Sequence, residues 1–405
     1  MLRRRTFLKT LAGLALTAAR PPRAFAGARL RVGVIGGGII GSSIALHLAE
    51  AGAQVTLLEK VTPTHGATQN SFGFINIFDP DHTYQQLRIE SYLAYRQLDA
   101  RLGLAVTWGG YIDWANSAAE GALVRTAAAM LDGTPFAVRR IDAAEFRRLS
   151  PDVEPGPLAA AFYSPYAGHV DPVFATHRML QRAQALGVDV RYPCEVLSIE
   201  LRGERLAAVH TAQGAVTLDR LVVAAGVDSP VLLAPLGYRL PLRHAPGILA
   251  HSAPTRALTR LVYDGPDELE FKQMASGRIV GEWHFEPPDI PVHREIRTRP
   301  IDYPNPALRA EHGRRILERI GAVLPAARGI SLERLTLGFR PMPLDGFPVV
   351  GPVPAAGDVY LAVTHSGITL AAILGRYLSR EIMTGVPAPA LGPYRPTRFA
   401  SSAGA

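Results

Sequence analysis

Apolar and β-branched positions cluster from Leu30 to Ile35, a pattern that predicts a buried strand, and Gly36-Gly37-Gly38-Ile39-Ile40-Gly41 follows immediately. Beyond it the pattern predicts a helix from about Ile40 to Ala51, ended by Gly52, and a second strand from Gln54 to Leu58 closing on Glu59. Further on it predicts a helix from about Val173 to Leu186, a strand pair within Val188 to Leu201, and a hydrophobic strand running through Leu221 to Ala224-Ala225-Gly226. Late in the chain, Leu269 to Met274 and Arg278 to Phe285 read as a hairpin about Ala275-Ser276-Gly277, and Val359 to Val363 as a strand leading into a helix that ends near Met383. These elements predict an α/β protein: a Rossmann-like cofactor domain and a second, α+β domain built on an antiparallel sheet. The cofactor domain is expected to be discontinuous, with residues 28–102, 155–239 and 339–392, and the second domain takes 103–154 and 240–338.

The glycine turn carries the first chemistry. Gly36 permits a tight turn, Gly38 lets the backbone approach a pyrophosphate, and Gly41 lets the helix pack closely on the strand, with phosphate seated at the helix N-terminus beside Ile39 and Ile40. Glu59, followed by Lys60, is placed to bind ribose hydroxyls, which admits FAD or NAD and disfavours NADP. After Glu59 the chain does not continue as regular strand-helix units. It passes through a loop of small polar residues that includes Ala67, Thr68, Asn70, Ser71, Phe72 and Gly73 and suits a flat polar ring better than a second nucleotide. Ala225 and Gly226 end a strand that can return to the glycine turn, and Val196 lies on a strand expected nearby. Ser366, Gly367, Ile368 and Thr369 open the last helix, whose N-terminus would stabilise negative charge on a reduced flavin. His365 can touch substrate or flavin, or serve as a structural residue at the strand end.

Composition narrows the classes. The chain has 405 residues, 48% hydrophobic and 19% charged, as in a well-packed globular protein with room for two domains. Its formal charge of +8 points to a polyanion partner until the first 26 residues are set aside: they hold Arg3, Arg4, Arg5, Lys9, Arg20 and Arg23 and no acid, and without them the charge is +2. Nucleic acid is therefore not expected. Residues 1–26 combine Arg3-Arg4-Arg5-Thr6-Phe7-Leu8-Lys9, an apolar stretch from Leu11 to Ala19 and Ala24-Phe25-Ala26, and so resemble a twin-arginine signal peptide cleaved after Ala26, which would place the protein in the periplasm. Cys194 is the single cysteine, so the chain forms no internal disulfide and no cysteine-based metal site, and no metal is expected.

Together the Gly36 to Glu59 start, the Ala67 to Gly73 loop, the His169 to Pro172 segment, the strand into Gly226, the stretch from Gly338 to Gly351 and the Thr364 to Thr369 turn resemble the D-amino-acid oxidase family of FAD-dependent oxidoreductases. That family includes glycine and sarcosine oxidases and D-amino-acid dehydrogenases. The resemblance implies a bound FAD, and it implies oxidation of the C–N bond of an amino acid by hydride transfer to flavin N5, giving an imine that hydrolyses to an oxo acid. It assigns Arg340, which follows Gly338-Phe339, to the substrate carboxylate, a role a planar guanidinium fills through bidentate bonds. Sarcosine-oxidase-like members tether flavin through a cysteine where this chain has Phe339 and Arg340, so FAD is expected to be noncovalent. The same members place a lysine for oxygen activation two residues before a glycine resembling Gly281, where this chain has Ile279. The electron acceptor is accordingly expected to be a quinone, with peripheral membrane contact, or O2. A flavin-binding subunit of an electron-transfer complex is the alternative of another class.

Overall fold

The computed structural model describes residues 29–283, 296, 305–354 and 356–402. The expected leader lies outside them, as do His284, which alternates with Trp283 as a pocket-lining candidate of the expected hairpin, and most of the proline-rich stretch from Pro287 to Pro306, expected as an irregular surface excursion; Pro306 itself is the first residue of a helix, Pro306–Val323.

One half is built on a six-stranded sheet in the order Val349–Val353, Ala356–Val363, Arg220–Val223, Arg31–Ile35, Gln54–Leu58 and Asp189–Arg191. All its pairings are parallel except that of the first two strands. Val32, Val34, Leu57, Val222 and Leu361 are fully buried, as expected of a sheet covered on both faces. Helices Ile39–Glu50 and Gly367–Thr384 lie together on it, and their contact is close because Gly375 has no side chain: a Cβ there would sit 2.2 Å from the Ser43 hydroxyl. That hydroxyl donates to the Ala371 carbonyl at 2.7 Å. The expected strand pair after Val188 divides instead. Asp189–Arg191 extends the parallel sheet, whereas Val196–Arg202 pairs with Arg205–Thr211 in a separate three-stranded sheet. Local hydrophobicity marked both strands but could not choose their partners.

The other half is an eight-stranded sheet ordered Leu332–Phe339, Pro246–Pro254, Arg278–Trp283, Leu269–Gln273, Val262–Gly265, Tyr111–Ala115, Ala160–Ser164 and Arg139–Arg140. It is antiparallel but for the pairing of Val262–Gly265 with Tyr111–Ala115. Ala160–Ser164 falls within the stretch expected in the cofactor domain, yet it hydrogen-bonds to Tyr111–Ala115 and belongs to this second sheet. Helix Pro306–Val323 covers the outer face, where Ile279, Phe271, Ile316 and Ile320 form one buried cluster. The inner face, carrying Val280 and Lys272, turns toward the cofactor half. The long helix His82–Leu102 packs on helix Gly367–Thr384; it is capped by the Asp81 carboxylate, which accepts from the Tyr84 N–H, and ended by Gly103 in the left-handed region.

Candidate active site

Gly36 adopts φ +106°, and a Cβ on it would lie 2.4 Å from the Ala224 carbonyl oxygen; one on Gly41 would lie 2.0 Å from the Gly36 oxygen. The turn is thus packed against the end of the strand Arg220–Val223, just before Ala225 and Gly226, the latter also left-handed at φ +57°. Gly38 precedes the helix Ile39–Glu50 without a side-chain cap of its own, and no acid stands in the first turn, so the positive helix end suits a phosphate. Glu59 is buried at the next strand end and accepts from the Gly37 N–H at 2.8 Å and the Val61 N–H at 2.9 Å. Lys60 points outward to Asp228 at 2.9 Å. Val196 packs with Ile35 and Leu58 in a cluster that also buries Cys194, so the cysteine lies with the nucleotide strands and not beside Phe339.

The polar loop closes over this turn. Thr68 Oγ1 accepts from the Ile39 N–H at 3.0 Å, and Ser71 Oγ donates to the Thr68 carbonyl at 2.9 Å, at the end of a run of turns over residues 63–70 that includes Ala67. Gly338 abuts Asn70, and a Cβ on Gly73 would meet the Val170 oxygen at 2.3 Å. A Cβ on Gly367 would come within van der Waals range of Ile39 and Ile40, and Thr369 Oγ1 donates to the Phe74 carbonyl at 3.0 Å. The N-termini of two helices, the strand end at Ala225 and the loop around Phe72 therefore converge on one space.

The inner face of the second sheet closes that space with a feature that sequence reading missed. Asp113 pairs with Asp264, Asp264 with Glu270, and Glu270 with Glu282, so four carboxyls form one row across four adjacent strands. Tyr111, two residues before Asp113, donates from its hydroxyl to Asp264 at 3.1 Å, and its ring packs on Phe74 and Phe78 at 5.2 and 5.3 Å. Burial and their mutual repulsion push these carboxyls upward: Asp264 to about 6, Asp113 and Glu270 well above the ordinary range. Glu282 is raised by burial, and the charge of Arg340 draws it back. On the same face Lys272, 1% exposed, donates to the Val170 carbonyl at 3.3 Å and lies 5.0 Å from the Phe72 ring centroid; burial lowers it to about 7.

Arg340 is half-buried beyond the strand Leu332–Phe339, its backbone N–H bound to the Ala245 carbonyl at 2.9 Å and its side chain passing 3.9 Å from where Gly247 would carry a Cβ. Its charge reaches both Glu282 and His365. His365 shares a 3.0 Å hydrogen bond with Ser366 and is pushed down to about 3 by burial and by Arg88, Arg340 and Arg243, so it is neutral at physiological pH. Ile279 faces helix Pro306–Val323 and not the site, whereas Val280 and Lys272 share the inner face with Glu270 and Glu282.

The profile of the FAD dependent oxidoreductase family matches residues 31–381. The chain belongs to this family. Mitochondrial dimethylglycine dehydrogenase from Rattus norvegicus is 26% identical over 90% of the chain and 44% of its own length, and glycine oxidase from Bacillus licheniformis 27% identical over 86% and 92%. The chain spans about half the length of the first of these relatives. L-proline dehydrogenase from P. horikoshii shares the fold, with a TM-score of 0.82 at 20% identity over 92% of this chain and 98% of that one. FAD is thus the cofactor of this FAD dependent oxidoreductase, and the residues present fit it: no acid stands in the first turn of the helix after Gly38, and the close packing of Gly36 on Ala224 and of Gly41 on Gly36 holds the glycine turn tight at the end of the central strand.

Proposed function

We propose that the protein oxidises the C–N bond of a small amino acid or related amine, giving an imine that water hydrolyses to an oxo acid. The observation that carries this reading is the row of buried carboxyls on the inner sheet face, close enough to Arg340 for its charge to act on Glu282. An amino acid is a zwitterion whose carboxylate matches the guanidinium and whose ammonium matches the carboxyl row. Bound FAD supplies the two-electron acceptor. Arg340 fixes the substrate's carboxylate, and Glu282, which burial makes a stronger base while the hydrogen bond from Glu270 and the charge of Arg340 favour its ionised form, takes the proton that the ammonium must lose before its lone pair can assist oxidation. Positioning supplies much of the rate. Relatives named for dimethylglycine and glycine, and an iminodiacetate oxidase 25% identical over 90% of the chain, support a small or N-substituted amino acid.

The test is anaerobic addition of glycine, sarcosine, proline and D-amino acids to purified holoprotein. Bleaching by at least one of them is expected. If none bleaches a flavin that dithionite does reduce, the amine reading fails.

The electron acceptor in this proposal is a quinone or another carrier outside the cytoplasm, with peripheral membrane contact, in keeping with the arginine-rich leader. Among the described residues no helix is long and apolar enough to cross a membrane. Stoichiometric peroxide during turnover would identify O2 instead, and retention of an Arg4→Lys, Arg5→Lys variant in the cytoplasm would support twin-arginine export.

A further inference from the structure

The long helix His82–Leu102 grips the start of helix Gly367–Thr384 with three side chains spaced along one face. Ser91 Oγ donates to the Thr369 carbonyl at 2.6 Å, and the Tyr95 hydroxyl donates to the Ile368 carbonyl at 2.5 Å. Arg88, the third, is only 8% exposed. Its Nη2 donates to Ser366 Oγ at 3.1 Å, its Nη1 to Asn76 Oδ1 at 2.8 Å, and its guanidinium lies over the Tyr84 ring at 4.7 Å. Its Nε is buried with no hydrogen-bond partner. Asp79 meets it at 3.4 Å, longer than a well-formed charge-assisted bond.

Burying a guanidinium costs several kcal/mol unless its charge has a use, and a serine cap could be braced by a neutral amide. Here the charge is joined to the residue that precedes an 18-residue helix and makes no side-chain cap bond of its own. Helix end and guanidinium therefore add their positive potentials at one point. That point borders the space between the glycine turn and Phe74, as the nearness of Gly367 to Ile40 and the hydrogen bond of Thr369 to Phe74 establish.

We propose that Arg88 is a positioning residue for the charge of the cofactor: through Ser366 it holds and reinforces the N-terminus of helix Gly367–Thr384, favouring the negative charge that the FAD ring gains on reduction. Asp79 opposes it, so the pair sets the potential in two directions.

The experiment titrates purified holoprotein with sulfite, which forms an anionic adduct with oxidised flavin and needs no amine substrate, so its outcome is independent of the proposed activity. Arg88→Met is expected to weaken sulfite binding about tenfold, within the range for a partly buried charge at a helix end. Arg88→Lys should lie close to the wild type, and Asp79→Asn should bind sulfite more tightly. Unchanged affinity in Arg88→Met, or equal losses in Arg88→Met and Arg88→Lys, would overturn the proposal in favour of simple bracing. If Arg88→Met does not retain flavin, Asp79→Asn decides alone: tighter binding supports the proposal, and unchanged or weaker binding overturns it.

Discussion

Gly338 lies so close to Asn70 that a Cβ added to it would stand 2.7 Å from the Asn70 Cβ and 3.1 Å from its carbonyl oxygen. The absent side chain lets the last strand of the second sheet reach the loop that follows the nucleotide strands. Gly338→Ala must push that loop away or bend the strand, an overpacking cost of about 1–3 kcal/mol. The expected result is a protein that still folds but is purified with a lower ratio of flavin to protein absorbance. Full flavin content in the variant would separate this contact from cofactor binding.

Arg340→Lys keeps a positive charge but loses the planar fork. A rise in KM of about tenfold or more is expected for substrates with a carboxylate, since bonds to a charged group contribute about 1.5–3 kcal/mol. For an amine without a carboxylate the two proteins should behave alike. Steady-state kinetics on such a matched pair of substrates checks this.

What the sequence disclosed and what it hid divide along one physical line. The glycine turn is legible because strand, glycines, helix and Glu59 are neighbours in the chain, and each glycine answers a local steric demand. Helix His82–Leu102 went unread because its buried face carries Gln85, Arg88 and Ser91, which blur the apolar stripe that would announce it. The carboxyl row was hidden more deeply. Glu270 and Glu282 meet within a hairpin legible from its turn, but Asp113 and Asp264 join them only through strand pairings that local pattern does not specify, one of them parallel. Which face a strand residue takes was hidden likewise: Ile279 packs on the outer helix while Val280 looks inward.

The row also predicts a pH dependence. Burial holds Asp264 at about 6 and raises Glu282, so falling pH protonates carboxyls that would otherwise attract an ammonium. Affinity for amine substrates is expected to decline as pH drops through about 6, and Glu282→Gln should lower kcat/KM at pH 8 while leaving a shallower acid limb. A variant with an unaltered pH profile would remove Glu282 from contact with the amine.

Lys272 gives the last prediction, on stability. Burial lowers its folded-state value to about 7 from the ordinary 10.5, with Asp171 and Glu270 opposing the shift. Below pH 7 the folded and unfolded chains both hold the proton. Between 7 and 10.5 the unfolded chain holds a proton that the folded chain has released, so raising the pH favours folding across that window, and the gain is lost as pH falls back through 7. The full effect is at most about 5 kcal/mol. Lys272→Met removes the titrating group at similar volume, and the variant should therefore be more stable than the wild type at pH 6, with the difference shrinking steadily toward pH 10. Paired thermal melts at several pH values measure it. A difference that does not change with pH would mean that Lys272 keeps its ordinary proton affinity in the folded protein, through an acceptor beyond the Val170 carbonyl.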